Sequence, residues 1–296
     1  MVGRKMRNIF TDAGKLQQHV LGINRRNLDY IYKSNKRKHF PIADDKVLTK
    51  EYLHKLNVPV PETFYVIRGM GDIRKYWPEL SAGKPEFVIK PAKGRAGGGI
   101  LVLRKNGECW ETPSGVKYNG NQIKKQMADI LFGIHSFGLT DKVLVESRVV
   151  LHHSLRTIYP DGMADIRVIV YNDIPKMSML RMSTLESGGR ANLSQGAIGI
   201  GIDLKTGELL DGYDVKGYIT KHPDSKVEFK GMRIPFWADI IDISTRTSRA
   251  VPLNYLGIDV IIDDTRGPVV MEINARPGLE IQNVNRCGLK SVLENG

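Results

Sequence analysis

Cysteine is almost missing from this 296-residue chain. The two present, Cys109 and Cys287, stand in no metal-binding or redox spacing. That excludes a disulfide scaffold and fits reduced thiols in a cytoplasmic protein. No apolar run approaches the roughly 20 residues of a membrane span. The opening MVGRKMRNIF has no apolar stretch of the kind a secretion signal needs. Repeats and low-complexity tracts are absent. So are the P-loop G-x-x-x-x-G-K-[ST] and the dinucleotide fingerprint. Acidic residues are scarce at the start: the first 40 residues hold ten Lys/Arg against Asp12 and Asp29. They carry +8 of the net charge of +12. Such an arm suits an anionic partner, whether nucleic acid, a membrane surface or an acidic protein, or else a solvated helix that aids solubility. No finger spacing or aromatic-interleaved nucleic-acid motif accompanies it.

What remains is ordinary for a soluble globular enzyme: 41% hydrophobic and 26% charged residues. The length allows one large domain or two to three sub-domains. Periodicity predicts a helix over 14–38 and a second over DKVLTKEYLHKL, capped by Asp44 or Asp45. Strands are expected at 64–67, 86–90, 100–104 and 142–150, with a helix at 119–135. Residues 164–171 and 176–184 read as a hairpin joined at NDIP, and 197–204 as a strand. Residues 205–233 are turn-rich. Pro235 is expected to open a helix running to about Arg249. Strands and helices alternate without a regular βαβ period, which predicts an α+β architecture.

The most informative segment is GIDVIIDDTRGPVVMEIN, 257–274. Two apolar runs flank a polar turn, and each run carries one carboxylate, Asp259 and Glu272. A turn symmetric about Thr265 and Arg266 sets these two directly opposite each other. Opposed side chains lie roughly 4.5–5.5 Å apart, where like charges repel. A divalent cation between them removes that penalty. Asn274, two residues on, shares the strand face with Glu272. Asp, Glu and Asn oxygens together suit Mg²⁺ bound to phosphates. The plain alternative is an edge hairpin with its acids in water.

A second cluster precedes it. Lys90 ends a strand just before PAKGRAGGG, where Lys93, Arg95 and Gly97, Gly98 and Gly99 form a flap. Bare backbone N–H groups in such a loop can cradle phosphates. Glu146 interrupts the apolar run KVLVESRVV, as an adenine-edge acceptor or as a plain edge-strand glutamate. Asp165 and Arg167 are i, i+2 neighbours on one strand face and could form an ion pair. Arg181, Arg190 and Asn192 add polar donors. His152, His153 and His222 stand in no zinc spacing and read as structural or surface residues.

In order, DDKVLTKEYLHKLNVPVPETF, FVIKPAKGRAGGGI, LVES, DIRVIV, GRANLSQGA, GIDVII and VVMEINARPGLE resemble the ATP-grasp superfamily, most closely the RimK-like α-L-glutamate ligases. The resemblance runs from about Asp44 to Asn285. It implies the ATP-grasp fold, two α/β sub-domains sandwiching a nucleotide. The basic segment 1–43 replaces the usual N-terminal domain, 44–296 is the catalytic domain, and about 64–145 forms a glycine-rich lid. It implies an ATP-dependent carboxylate–amine ligase working through an acyl phosphate. Lys90 would contact phosphates, Glu146 and Ser147 line the adenine strand, and Asp165 face the ribose. Arg190 and Asn192 would face phosphates or the reacting carboxylate. Asp259, Glu272 and Asn274 would hold one or two Mg²⁺, with Mn²⁺ as an alternative. Arg181 and Arg190 would neutralise developing charge, and Arg276 would grip a substrate carboxylate or departing phosphate. The insertion 203–236 resembles that of sugar-transfer-associated ATP-grasp proteins, so glutamate is not assumed as substrate. The expected partners are a carboxylate and an amine, from a small molecule, peptide or protein tail; oligomeric state is left open. The rival functions are a kinase acting on a hydroxyl and a basic anion- or nucleic-acid-binding protein.

Overall fold

Two antiparallel sheets carry the chain, each covered by helices, in an α+β arrangement. The computed structural model describes residues 19–94, 97–160 and 162–294. Residues 1–18, with four of the basic arm's ten Lys/Arg, and Arg95 in the glycine loop lie outside them.

The first sheet has the order β1-β6-β2-β3-β4-β5: β1 (Thr63–Ile67), β2 (Glu86–Pro91), β3 (Leu101–Asn106), β4 (Cys109–Glu111), β5 (Lys117–Tyr118) and β6 (Val143–Glu146). Helices α2 (Met70–Gly83) and α3 (Gly120–Leu131) cover one face; α1 (Lys46–His54) precedes the sheet in sequence. Phe87 and Ile89 of β2 join Val143 and Val145 of β6 in the core under these helices. Strand alternation therefore turns Lys90, Leu144 and Glu146 to the opposite face. The 142–150 strand is shorter than expected and ends at Glu146. Helix α3 starts at a capping box: Asn119 accepts from Gln122 N, and the Gln122 side chain accepts from Asn119 N. It stops before Gly133, which adopts a φ of +80°.

The second sheet has the order β11-β10-β9-β8-β7-β12-β13: β7 (Ala164–Tyr171), β8 (Ile174–Met182), β9 (Ile198–Ile202), β10 (Leu209–Asp214), β11 (Gly217–Ile219), β12 (Tyr255–Asp263) and β13 (Gly267–Asn274). Helices α4 (Trp237–Ala250), α5 (Glu280–Val284) and α6 (Leu289–Glu294) pack against it. Two strands, β10 and β11, lie in the stretch read as turns. Helix α4 opens at Trp237 and not at Pro235, because Phe236 takes a left-handed φ of 55°. The β7–β8 turn uses Asn172 and Asp173, at φ 49° and 63°. Both values suit a two-residue hairpin turn.

Of the helix expected over 14–38, residues 14–18 lie outside the described residues; among those described the chain breaks at 20–22 and is helical over 23–34, with a π-helical middle at Arg26–Ile31. It breaks at Asn35, whose side chain behaves like a strand residue. Asn35 Nδ2 donates to Tyr255 O at 2.8 Å and Tyr255 N donates to Asn35 Oδ1 at 3.0 Å. Gln282 forms the same pairing with Leu21, both bonds 3.0 Å. Leu21, Tyr30, Ile31, Phe40 and Ile42 are buried in the core of the second sheet.

A candidate active site between the two sheets

The β12–β13 hairpin supplies two of the site's acids, and its register has an unexpected origin. Next to the turn, Asp263 pairs with Gly267 and Val260 with Val270. Continued, that register would place Asp259 opposite Met271. A β-bulge absorbs Met271 as an extra residue, and Asp259 then pairs with Glu272 and Gly257 with Asn274. The turn is not symmetric about Thr265 and Arg266, as the sequence reading assumed. The bulge supplies the missing step.

Asp259 is buried and Glu272 partly exposed. Asn274 Nδ2 donates to Asp259 Oδ2 at 3.2 Å and Glu272 Oε1 at 3.4 Å, so the three side chains meet. On the neighbouring strand Arg167 lies opposite Asp259. It donates from Nε at 2.7 Å and Nη2 at 2.6 Å. Arg181 pairs with Asp165 by two bonds of 2.6 and 2.7 Å and reaches Asp259 at 3.0 Å. The i, i+2 pair suggested for Asp165 and Arg167 does not form. Cross-strand neighbours are closer than same-strand ones, so each acid takes an arginine from the adjacent strand. Burial favours the neutral form of Asp259, but Arg167 and Arg181 overcome it and hold the carboxyl well below its ordinary range. Asp165 goes the other way: burial and the nearby Asp259 push it up to about 6 against the pull of Arg181. Arg181 is driven above its ordinary value by Asp259 and Asp165, despite burial.

The second cluster sits on the open face of the first sheet. Glu146 pairs with both Lys50 and Lys90, and all three are buried. Burial opposes ionisation of Glu146, yet the two lysines lower its pKa. Burial pulls Lys50 down to about 8, against Glu146. The Glu146 side chain is therefore engaged by both lysines. Neighbouring Ser147 accepts from Glu62 N at 3.1 Å and Arg266 Nη1 at 2.7 Å.

Lys46 joins the clusters. Asp45, and not Asp44, caps α1 by accepting from Val47 N and Leu48 N. That fixes Lys46 at the helix start, where Nζ donates to Gly94 O at 2.9 Å and lies 3.8 Å from Glu272. Burial lowers the pKa of Lys46, partly offset by Glu272. Lys46 and Lys50 escaped the sequence reading. Their signal is the i, i+4 spacing: two like charges on one helix face repel, unless anions meet them.

The other expected site residues are more dispersed. Lys93, Gly97 and Gly98 are exposed and Gly99 partly so. A Cβ on Gly99 would come within 2.6 Å of His135, and its φ is +75°. Arg190 is exposed. Asn192 accepts from Ser194 N and Oγ at 3.2 and 3.0 Å. Arg276 pairs with Asp44 at 3.7 Å and lies over the Phe40 ring at 5.1 Å.

The donor set at the hairpin is all oxygen, provided Asn274 turns its amide oxygen inward. Two carboxylates and an amide oxygen suit a hard cation, so the residues present fit Mg²⁺. Lys46, Lys50, Lys90, Arg167 and Arg181 make the surroundings receptive to phosphates. Among the described residues no helix is long and apolar enough to cross a membrane.

The sequence profile of the sugar-transfer associated ATP-grasp family matches residues 25–295. No curated protein matches the chain. Similar solved structures include the ATP-grasp ligase PsnB with its minimal precursor: 14% identity, TM-score 0.46, 88% of this chain and 62% of that one. The D-alanine–D-alanine ligase of Bacillus anthracis gives 15% identity and TM-score 0.48, over 86% of this chain and 65% of that one. A RimK-domain ATP-grasp protein of Sphaerobacter thermophilus gives 14% and 0.47, over 88% and 70%. The chain thus spans about three fifths of the PsnB chain (62%). On the strength of the sequence match over nearly its whole length, this chain belongs to the sugar-transfer associated ATP-grasp family and has the ATP-grasp fold.

Proposed function

We propose that the protein is an ATP- and Mg²⁺-dependent carboxylate–amine ligase that forms an amide through an acyl phosphate and releases ADP. One observation carries this reading. Lys46 ties the glycine loop at Gly94 to Glu272, the acid paired with Asp259. Phosphates lying beside that ammonium would meet the loop and the metal-binding acids together.

Mg²⁺ held by Asp259, Glu272 and Asn274, as one ion or two, would neutralise phosphate charge and polarise the phosphoryl group. Lys46 and Lys90 bind phosphate oxygens, and Glu146 positions Lys90 and Lys50. Arg181 and Arg190 stabilise charge that grows as the phosphoryl group moves. Arg276 grips the substrate carboxylate or departing phosphate, and Asp165 faces the ribose side. The flap with Lys93 and Gly97–Gly99 excludes water, which would hydrolyse the intermediate. Phosphorylation turns a carboxylate oxygen into a leaving group. An amine then attacks the acyl carbon, forming the C–N bond as phosphate departs. Residues 44–296 are the catalytic domain, with the lid at about 64–145; the basic segment 1–43 meets an anionic partner.

A kinase would need a base to activate a hydroxyl. Asp165 has the raised pKa, but both its oxygens are bonded to Arg181. The deciding experiment supplies ATP, Mg²⁺ and hydroxylamine with a panel of amino acids, peptides and amino-sugar acids. A hydroxamate formed with ADP supports the ligase. AMP with pyrophosphate would indicate an adenylate mechanism, and phosphorylation of a hydroxyl would indicate a kinase.

A further inference from the structure

Two adjacent histidines meet a carboxylate at the far end of the hairpin. A ring nitrogen of His152, one of His153 and an oxygen of Asp264 lie within 4.8 Å of one another. The imidazole centroids are 4.0 Å apart, with the rings tilted by 35°. We propose that His152, His153 and Asp264 bind a divalent cation of the zinc class and fasten the connection between the two sheets to the hairpin turn. This site does not rest on the ligase reading. Asp264 lies five residues beyond Asp259, about 17 Å along a strand, so the Mg²⁺ ligands are not shared.

The backbone already holds the three residues together. His152 N donates to Ile262 O and Asp264 N donates to Val150 O, both at 2.8 Å. Leu151 bridges to Asp263. The segment leaving β6 thereby runs beside the end of β12. Arg266 reinforces the joint by donating to Ser147 Oγ at 2.7 Å and Arg148 O at 2.8 Å.

Each ligand atom can be assigned. His152 Nδ1 accepts from Ser154 N at 3.3 Å and lies 2.8 Å from Ser154 Oγ. Nε2 is therefore the atom left for a metal. With a metal on Nε2 the ring proton sits on Nδ1, which gives up the bond from Ser154 N and donates to Ser154 Oγ, a bond that orients the ring. His153 Nδ1 lies 3.0 Å from Asp264 Oδ1. Two donors on one metal, with bonds of about 2.0–2.1 Å, stand roughly 3.0–3.4 Å apart, so a cation can replace the proton between them. The neutral His153 ring then carries its proton on Nε2. Arg156 Nη2 holds the other oxygen, Asp264 Oδ2, at 3.0 Å and turns Oδ1 toward the histidines.

The chemistry selects the cation. Arg156 disfavours binding by charge alone, so affinity must come from imidazole nitrogen. Zn²⁺, Ni²⁺ and Cu²⁺ favour such donors; Mg²⁺ and Ca²⁺ favour oxygen. The His153 side chain is 71% exposed, which leaves room for water to complete the coordination shell.

The test is calorimetric titration of the full chain with Zn²⁺ in saturating Mg²⁺, which blocks the Asp259 site. The expected result is one equivalent of Zn²⁺ bound and slower hydrogen exchange at residues 147–153. His153→Ala and, separately, Asp264→Asn should each weaken Zn²⁺ by more than the roughly 10–100-fold loss seen for outer partners of a metal ligand. Both should retain wild-type Mg²⁺-dependent nucleotide binding. His153 is exposed, so its removal leaves the core intact, and Asp264→Asn keeps the side-chain volume. Absence of Zn²⁺ binding by the wild type, or wild-type affinity retained in either variant, overturns the proposal.

Discussion

Lys46 donates to the carbonyl oxygen of Gly94 at 2.9 Å while standing 3.8 Å from the Glu272 carboxylate. One ammonium therefore spans the glycine loop and the paired acids of the hairpin. A hydrogen bond from a charged donor contributes about 1.5–3 kcal/mol. Lys46→Met should raise the Kd for ATP by about 10–100-fold, measured by calorimetry. It should also speed hydrogen exchange in a peptide spanning 90–100. Unchanged exchange together with unchanged affinity would show that Lys46 does not tether the loop.

Glu272→Gln removes a charge and almost no volume. Its side chain is 38% exposed and its ion pair with Lys46 is long, at 3.8 Å. The fold should survive, with a melting temperature near that of the wild type. Mg²⁺-dependent nucleotide binding and turnover should fall at least about 100-fold, since one of two carboxylate ligands is lost. Manganese paramagnetic resonance measures the metal arm directly. Retention of wild-type manganese affinity would remove Glu272 from the ligand set.

Glu146 is the anion shared by two buried lysines. Glu146→Gln leaves both ammonium groups without a counter-charge, and breaking a buried pair costs about 3–5 kcal/mol. Urea unfolding should show a loss of this order. Adding Lys50→Met should recover part of it, because one unpaired cation disappears. A double variant less stable than Glu146→Gln would refute this account of the network.

His222 makes stability depend on acid. Its Nδ1 accepts from Asp224 N and Ser225 N, and its Nε2 donates to Ser183 O at 3.0 Å. Burial holds the imidazole below its ordinary pKa of 6.5, against Ser183 O and Asp224. The unfolded chain therefore takes up this proton first as pH falls below about 6.5. The resulting stability is complete above that value and is lost as pH falls toward the lower folded pKa. His222→Gln cannot titrate. Its melting temperature should fall less than the wild type's between about pH 7.5 and about pH 5.5. Equal slopes would exclude His222 as the source.

Much of the fold follows from local pattern. Strand Ala164–Tyr171 is bounded as its alternation predicts. The missed elements are those whose pattern is weak. Helix α2 contains Gly71 and Pro78, and Ile73 and Leu80 are its only buried residues. Strands β4, β5 and β11 are two or three residues long, too short for a period to register. At the site, the opposition of Asp259 and Glu272 was legible but the bulge at Met271 was not, since Val-Val-Met-Glu carries no glycine or proline to mark it. The partners of Asp259 were also hidden. Arg167 reaches it from a strand 92 positions away in sequence, a choice made by sheet order and not by spacing.

The insertion and the β12–β13 hairpin occupy opposite edges of the second sheet, β11 and β13. Six strand spacings of about 4.8 Å separate them, roughly 29 Å. Yet the insertion is tied to a loop that carries two of the expected site residues. His222 donates to Ser183 O at 3.0 Å, and Asp224 Oδ2 accepts from Leu185 N at 2.8 Å. Those bonds anchor the base of the loop that carries Arg190 and Asn192. A change at His222 or Asp224 would therefore loosen the base of that loop, while β12 and β13 keep Asp259 and Glu272 in register. Variation in the insertion is thereby uncoupled from the pairing of the two acids.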